Sequence, residues 1–252
     1  MSEDIASLLD PITDLSRQAA EYDWAAHEAL TLDQRYRERQ LPLLDSRVRA
    51  PLGPEAGAAE YWPPIRSAVL PIDSGRLAAD AGFTAFLDDL RGSDVTSLVW
   101  WPGLAMRADR LHATLAGGLD GGQELPAQLA SHIDVVVRGP WIGRFNTGRI
   151  YLPVQAADVA SATALAQVRT RTGAAHRPLL AGCVQLTDEV TGDAYRQLRD
   201  IVATHQSRIA VHMPLSELWL MDTMDDLVLR SRLAARIPLG NHVRPLAEEN
   251  VS

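Results

Sequence analysis

Leu111-His112-Ala113-Thr114-Leu115-Ala116-Gly117-Gly118 and His176-Arg177-Pro178-Leu179-Leu180-Ala181-Gly182 are the stretches on which the reading of this chain turns. Aligned from their histidines, they share the His, the Leu three residues on and the final Gly. Each opens an apolar run of strand length, followed by a helical pattern and then another strand pattern. On a strand, residues two apart face the same side, so His112 and Thr114 present an imidazole and a hydroxyl together. The repeat predicts two similar halves, each giving one histidine-bearing strand to a shared groove.

Working outward, residues 67–72 read as a strand and 77–90 as a helix with Leu77, Ala81, Phe86 and Leu90 on one side. Residues 97–101 read as a second strand. Past His112, a helix is expected at 123–130 and strands at 134–138 and 149–154, around a loop with Gly143 and Gly148. An alanine-rich helix at 158–171, a strand at 179–186 and a helix at 193–205 follow. A strand begins at Ile209, and 215–221 with 227–237 form a closing hairpin. Adjacent strands with interspersed helices argue against regular βαβ alternation and for an α+β fold with mainly antiparallel sheets.

Upstream, residues 4–40 read as helical, with Leu15, Tyr22, Ala26 and Leu30 at helical spacing and a capping box at Thr31-Leu32-Asp33-Gln34. From Pro42 to Pro64 the chain is rich in Pro, Gly and Ala and cannot sustain a helix or central strand. The reading is therefore a helical extension with an extended arm (1–64), a main domain (65–242) and a polar tail (243–252).

Two histidines around one groove suit phosphodiester chemistry without a metal or other cofactor. A neutral imidazole takes a proton from water or a ribose hydroxyl while a protonated one donates to the leaving oxygen. Thr114 and nearby arginines would hold the non-bridging oxygens. The candidates are His112, Thr114 and His176 for catalysis, and Arg110, Arg144, Arg149, Arg177 and Tyr151 for substrate binding. His132 and His205 read as surface residues beside helices, and Trp100, Trp101 and Trp141 as packing residues. Asp222, Asp225 and Asp226 read as a solvated hairpin tip. The glycine pairs at 117–118 and 121–122 lack the Lys-Ser/Thr of a phosphate-binding loop.

Leu111-His112-Ala113-Thr114-Leu115 resembles the His-x-Thr motif of the two-histidine (2H) phosphoesterases, which include LigT-like 2′-5′ RNA ligases and cyclic nucleotide phosphodiesterases. The resemblance runs from about Ser67 to Gly240. It takes in Val69-Leu70-Pro71-Ile72, Trp100-Trp101, Ser216-Glu217-Leu218-Trp219-Leu220 and Arg236-Ile237-Pro238-Leu239. It implies a bilobal, pseudo-twofold α+β fold with one His-x-Thr/Ser motif per lobe. It also implies a metal-independent phosphoesterase acting on a 2′,3′-cyclic phosphate, a 2′-5′ linkage or a similar small nucleotide. The second motif departs from the pattern, because Pro178 stands where a hydroxyl is expected. His212-Met213-Pro214 is a rival His-x-Pro, but the segment after it is similar to the family strand that follows the second motif, which favours His176. Two alternatives follow: a degenerate relative that binds a nucleotide or anion without turnover, or an enzyme using the groove for non-phosphoryl acid/base chemistry.

The net charge of −8 disfavours broad capture of duplex DNA but not of a small phosphorylated nucleotide or RNA end. All 24 basic residues are arginine, each able to fork onto phosphate oxygens. A single cysteine, Cys183, excludes an intrachain disulfide and a cysteine-rich zinc site. No apolar run is long enough to span a bilayer, and the acidic Met1-Ser2-Glu3-Asp4 start lacks a secretory pattern, so a cytoplasmic protein is expected. The N-terminal extension could cap the groove, bind a partner or mediate homo-oligomerisation.

Overall fold

The structure is a computed structural model that describes residues 2–18, 20–44, 64–119, 125, 132–174 and 177–240. In chain order the elements are α1 (Glu3–Leu9), α2 (Pro11–Arg17), β1 (Ala29–Leu30), α3 (Gln34–Arg39), β2 (Ile65–Pro71), α4 (Ser74–Ala78), α5 (Ala81–Arg91) and α6 (Pro102–Met106). Then come β3 (His112–Leu119), β4 (Ile133–Arg138), β5 (Trp141–Gly143), β6 (Asn146–Ala156), α7 (Val159–Thr172) and β7 (Leu180–Gln185). The chain closes with β8 (Val190–Thr191), α8 (Gly192–His205), β9 (Ala210–Leu215), β10 (Glu217–Thr223) and β11 (Ser231–Pro238). No helix among the described residues is long and apolar enough to cross a membrane.

The main sheet runs β11-β10-β2-β3-β7-β6-β4-β9, with β5 added on β6, and its ladders are antiparallel. This is the expected α+β class. Period-two alternation separates the two faces. On β3, Ala113 and Leu115 are buried while His112 and Thr114 face the other way, and on β6 Ile150 and Leu152 alternate with Arg149 and Tyr151. The apolar face is covered by helices: Phe83, Phe86 and Leu90 of α5, Leu165 and Val168 of α7, and Leu198 and Val202 of α8 share one core with it. The opposite face is left for the site.

Local chemistry moves several boundaries. The helix expected at 77–90 is two helices, because Asp73 and Asp80 each cap a separate start by accepting from Arg76 N and Phe83 N. The strand expected at 97–101 is instead a 3-10 turn at Asp94–Leu98 capped by Ser93, and Pro102 then starts α6; only Val99 keeps an isolated bridge, to Leu186. The capping box is shifted, since Asp33 is the cap of α3 and accepts from Tyr36 N at 2.9 Å. The helix expected at 123–130 lies outside the described residues, apart from Leu125 alone. The closing hairpin is present as β10 and β11.

The described residues of 4–40 form three short helices and β1 rather than a continuous helical region, and they are packed into the main core. Leu8, Tyr22, Leu30, Leu32 and Tyr36 belong to the same apolar cluster as the sheet. Tyr36 is fully buried and donates to Leu186 O at 2.6 Å. Its ring lies so close to Gly148 that a Cβ there would sit 2.3 Å from it. Thr147 donates through its hydroxyl to Thr31 O and through its amide to Asp33. α3 is thereby laid against β6, beside the open face of the sheet.

Candidate active site

A cleft of about 660 Å³ opens over that face. Its floor is the β3–β7–β6 strip, which brings His112, Thr114, Gly182, Arg149 and Tyr151 together. One wall is α3, through Arg35, Tyr36 and Arg39; another is the β10–β11 loop, through Asp225, Asp226 and Val228. Arg177 and Pro178 stand at its edge, and Arg107, the residue that ends α6, enters from beneath the loop.

His112 is half-buried at the start of β3, with Nδ1 2.7 Å from Arg110 O. A carbonyl only accepts, so Nδ1 carries the proton and Nε2 keeps the lone pair of a neutral ring. Burial, with Arg107 and Arg149 adding like charge, pushes the imidazole down to about 4 against the help of the Arg110 carbonyl. At neutral pH it is a proton acceptor. Thr114, two residues on, exposes its hydroxyl to the same cleft.

Arg107 was not a candidate from the sequence. It is 4% exposed, donates from Nε to Leu227 O (2.8 Å) and from Nη2 to Gly182 O (3.0 Å), and its buried Nη1 has no hydrogen-bond partner among the described residues. Burial, reinforced by Arg149, pushes its guanidinium down to about 9. Arg149 reaches the site because Gly182 has no side chain: a Cβ there would lie 2.4 Å from Arg149 Nε. Its Nη2 donates to Asp226 O at 3.2 Å, its Nε is buried and unpartnered among the described residues, and its guanidinium lies 5.7 Å from the Tyr151 ring centre. Tyr151 is buried, which raises its phenol.

The β10–β11 loop is no solvated tip. Asp225 is 2% exposed and accepts from the amides of Leu227, Leu229 and Arg230, and Asp222 is held well below the usual carboxylate range, at about 2, by Arg66 and Arg232. Val228, at φ 55°, sits where a β-branched residue is strained. The Asp225 collar and arginine donors to the carbonyls of 226–229 hold it there.

The remaining candidates fall elsewhere. Arg110 does not line the cleft; it is spent on Leu229 O at 2.9 Å and an ion pair with Asp109. Arg144 is exposed in the β5–β6 turn, where its amide donates to Ala20 O. His176 lies outside the described residues. Arg177 and Pro178 are not in a strand, and β7 begins only at Leu180. The register pairs Ala113 with Ala181, so β7 presents Leu180 and Gly182, not a histidine and a hydroxyl, to the cleft. His212 is exposed on β9, at the far end of the sheet. His205, expected at the surface, is fully buried with Nε2 2.7 Å from Asp89. Trp100 and Trp141 are packed in the interior, and none of the three tryptophans lines the cleft. No group of three or more His, Cys, Asp or Glu among the described residues is placed to hold a metal ion.

No protein-family model matches the chain, and the search of curated proteins found no match. Among solved structures, the chain is similar to TT0787 of Thermus thermophilus, at 13% identity and a TM-score of 0.38 over 71% of this chain and 100% of that one.

Proposed function

We propose that the chain is a metal-independent phosphoesterase that takes a small phosphorylated nucleotide, such as a 2′,3′-cyclic phosphate, into this cleft. What carries the reading is the meeting of a neutral His112, the Thr114 hydroxyl and the guanidiniums of Arg107 and Arg149 in one cleft. His112 Nε2 accepts the proton of the attacking water as the P–O bond to one ribose oxygen breaks, that oxygen taking its proton from solvent, and Nδ1 stays anchored on Arg110 O so that the ring cannot turn. Thr114 and the two arginines bear on the non-bridging oxygens, where charge builds as the water adds. The arginine-rich lining favours phosphoryl over non-phosphoryl chemistry. The strand order, with β11, β10, β2 and β3 on one side of the β3–β7 junction and β7, β6, β4 and β9, with β5 added on β6, on the other, is compatible with a bilobal pseudo-twofold plan.

Turnover of adenosine 2′,3′-cyclic phosphate tests it. A chelator leaves the rate unchanged, and His112→Ala lowers it by about 10²–10⁴, the usual worth of a general base. Full activity in that variant sinks the assignment. His176→Ala measures whether a second histidine takes part: a comparable loss restores the two-histidine mechanism.

A second reading, ligand binding without turnover, has its own support. A twofold through the Ala113–Ala181 pair carries His112 onto Leu180 and Thr114 onto Gly182, neither of which can donate a proton or hold a phosphate oxygen through its side chain. Calorimetric binding of the cyclic nucleotide with no product formed selects this reading.

A further inference from the structure

The cleft carries the opposite charge to its protein. Its lining includes five arginines and three aspartates, a formal excess of two positive charges in a chain of net −8. Asp33 accepts from the amides of Tyr36 and Thr147 and Asp225 from three loop amides, whereas Asp226 is held by an ion pair with Arg39 Nε at 3.4 Å and its Oδ2 has no hydrogen-bond partner among the described residues. Arg107 and Arg149 differ from the other lining cations: their described bonds run to backbone carbonyls and, for Arg149, to the neutral Tyr151 phenol, and each keeps a buried N–H with no partner among the described residues. Burial and the neighbouring Arg149 both disfavour the charge on Arg107, against partial help from Asp225, and an anion bound by the two guanidiniums offsets that cost.

From this unbalanced pair we infer that the cleft is built for a phosphomonoester dianion, and that it holds the opened monoester more tightly than the cyclic diester, which carries one charge. The inference rests on the reading that the cleft takes a phosphorylated ligand. It adds that the product of ring opening is the better ligand, so that release of the monoester restrains turnover.

Lowering the pH isolates the ligand's charge, because the protein changes in the opposite sense. His112 on β3 gains charge as pH falls towards 4, and Asp225 in the β10–β11 loop, raised by burial, loses its negative charge; both make the cleft more positive. Arg107 from α6, Arg149 from β6, Arg177 before β7, and Arg35 and Arg39 from α3 remain cations. Tyr151, raised by burial, stays neutral, and the carboxylates of Asp33 and Asp226 complete the charged lining. Weaker monoester binding on acidification therefore reports the phosphate, whose second ionisation lies near pH 6.

The test is calorimetric titration of the full chain with adenosine 3′-monophosphate, adenosine 2′,3′-cyclic monophosphate and adenosine, in His112→Ala if the cyclic compound is consumed. At pH 7.5 the monoester binds at least about tenfold tighter than the cyclic diester, and at pH 5 the two converge as the monoester loses a charge. Arg107→Gln abolishes the preference at pH 7.5; the pH arm on the unmodified chain stands even if that variant does not fold. Equal binding at pH 7.5, or a preference that persists at pH 5, overturns the inference and leaves the phosphate-cleft reading in place. Binding of neither nucleotide overturns both.

Discussion

At the scale of single residues, the site depends on His112 being half-buried and anchored by its own neighbour's carbonyl. Its imidazole is pushed down to about 4, whereas in the unfolded chain it titrates near 6.5. The unfolded state then binds more protons between those values, so stability is full above about pH 6.5 and falls as pH drops towards 4. The effect should reach roughly 2–3 kcal/mol at its largest. Urea unfolding at pH 7, 5.5 and 4 should show this loss in the wild type and a flatter profile in His112→Asn. A ring that titrates at 6.5 by NMR in the folded protein would contradict its burial. His-x-Thr was legible in the sequence because period-two geometry puts its two side chains on one face wherever the strand lies. Arg107 was not legible, because an arginine five residues before the motif becomes a site residue only through the loop carbonyl and the glycine it meets.

At the scale of elements, β7 decides what the cleft can do. Gly182 is the gap through which Arg149 crosses the strand, and a Cβ there would meet Arg149 Nε and Cζ at 2.4 and 2.5 Å. Gly182→Ala should cost about 1–3 kcal/mol through overpacking and weaken phosphate-ligand binding as Arg149 is displaced. Because the obstructing atoms are Arg149's own, Arg149→Ala should relieve part of that stability cost, and a double-mutant cycle by chemical denaturation would measure the coupling. Additive losses would show that the two residues are not in contact. The second histidine motif illustrates why strands are harder to align than to find. His176 and His112 match by sequence, yet the ladder pairs Ala113 with Ala181, and β7 starts four residues beyond the point where the repeat would set it. Register is chosen by the buried face, Ala113 and Ala181 here, and not by the polar residues that mark a motif.

At the scale of the molecule, the N-terminal helices form a wall of the site and part of its core. Tyr36 fills the space over Gly148 and donates to a buried carbonyl. Tyr36→Phe should cost about 1–2 kcal/mol for the carbonyl left unsatisfied, and Tyr36→Ala about 3–5 kcal/mol. Both variants should lower the midpoint of one cooperative transition. A separate early transition would show that the N-terminal region folds apart from the sheet.

The α+β class, β3 with its His112–Thr114 face, the helices α7 and α8 and the closing β10–β11 hairpin follow from periodicity and turn chemistry, which are local. Only the tertiary structure decided that Arg107 and Arg149 flank His112, that Asp225 is buried beneath the loop it organises, and that β7 offers Leu180 and Gly182 to the cleft. Those outcomes come from strand register and from the burial of polar groups against distant backbone, interactions that no window of the sequence contains.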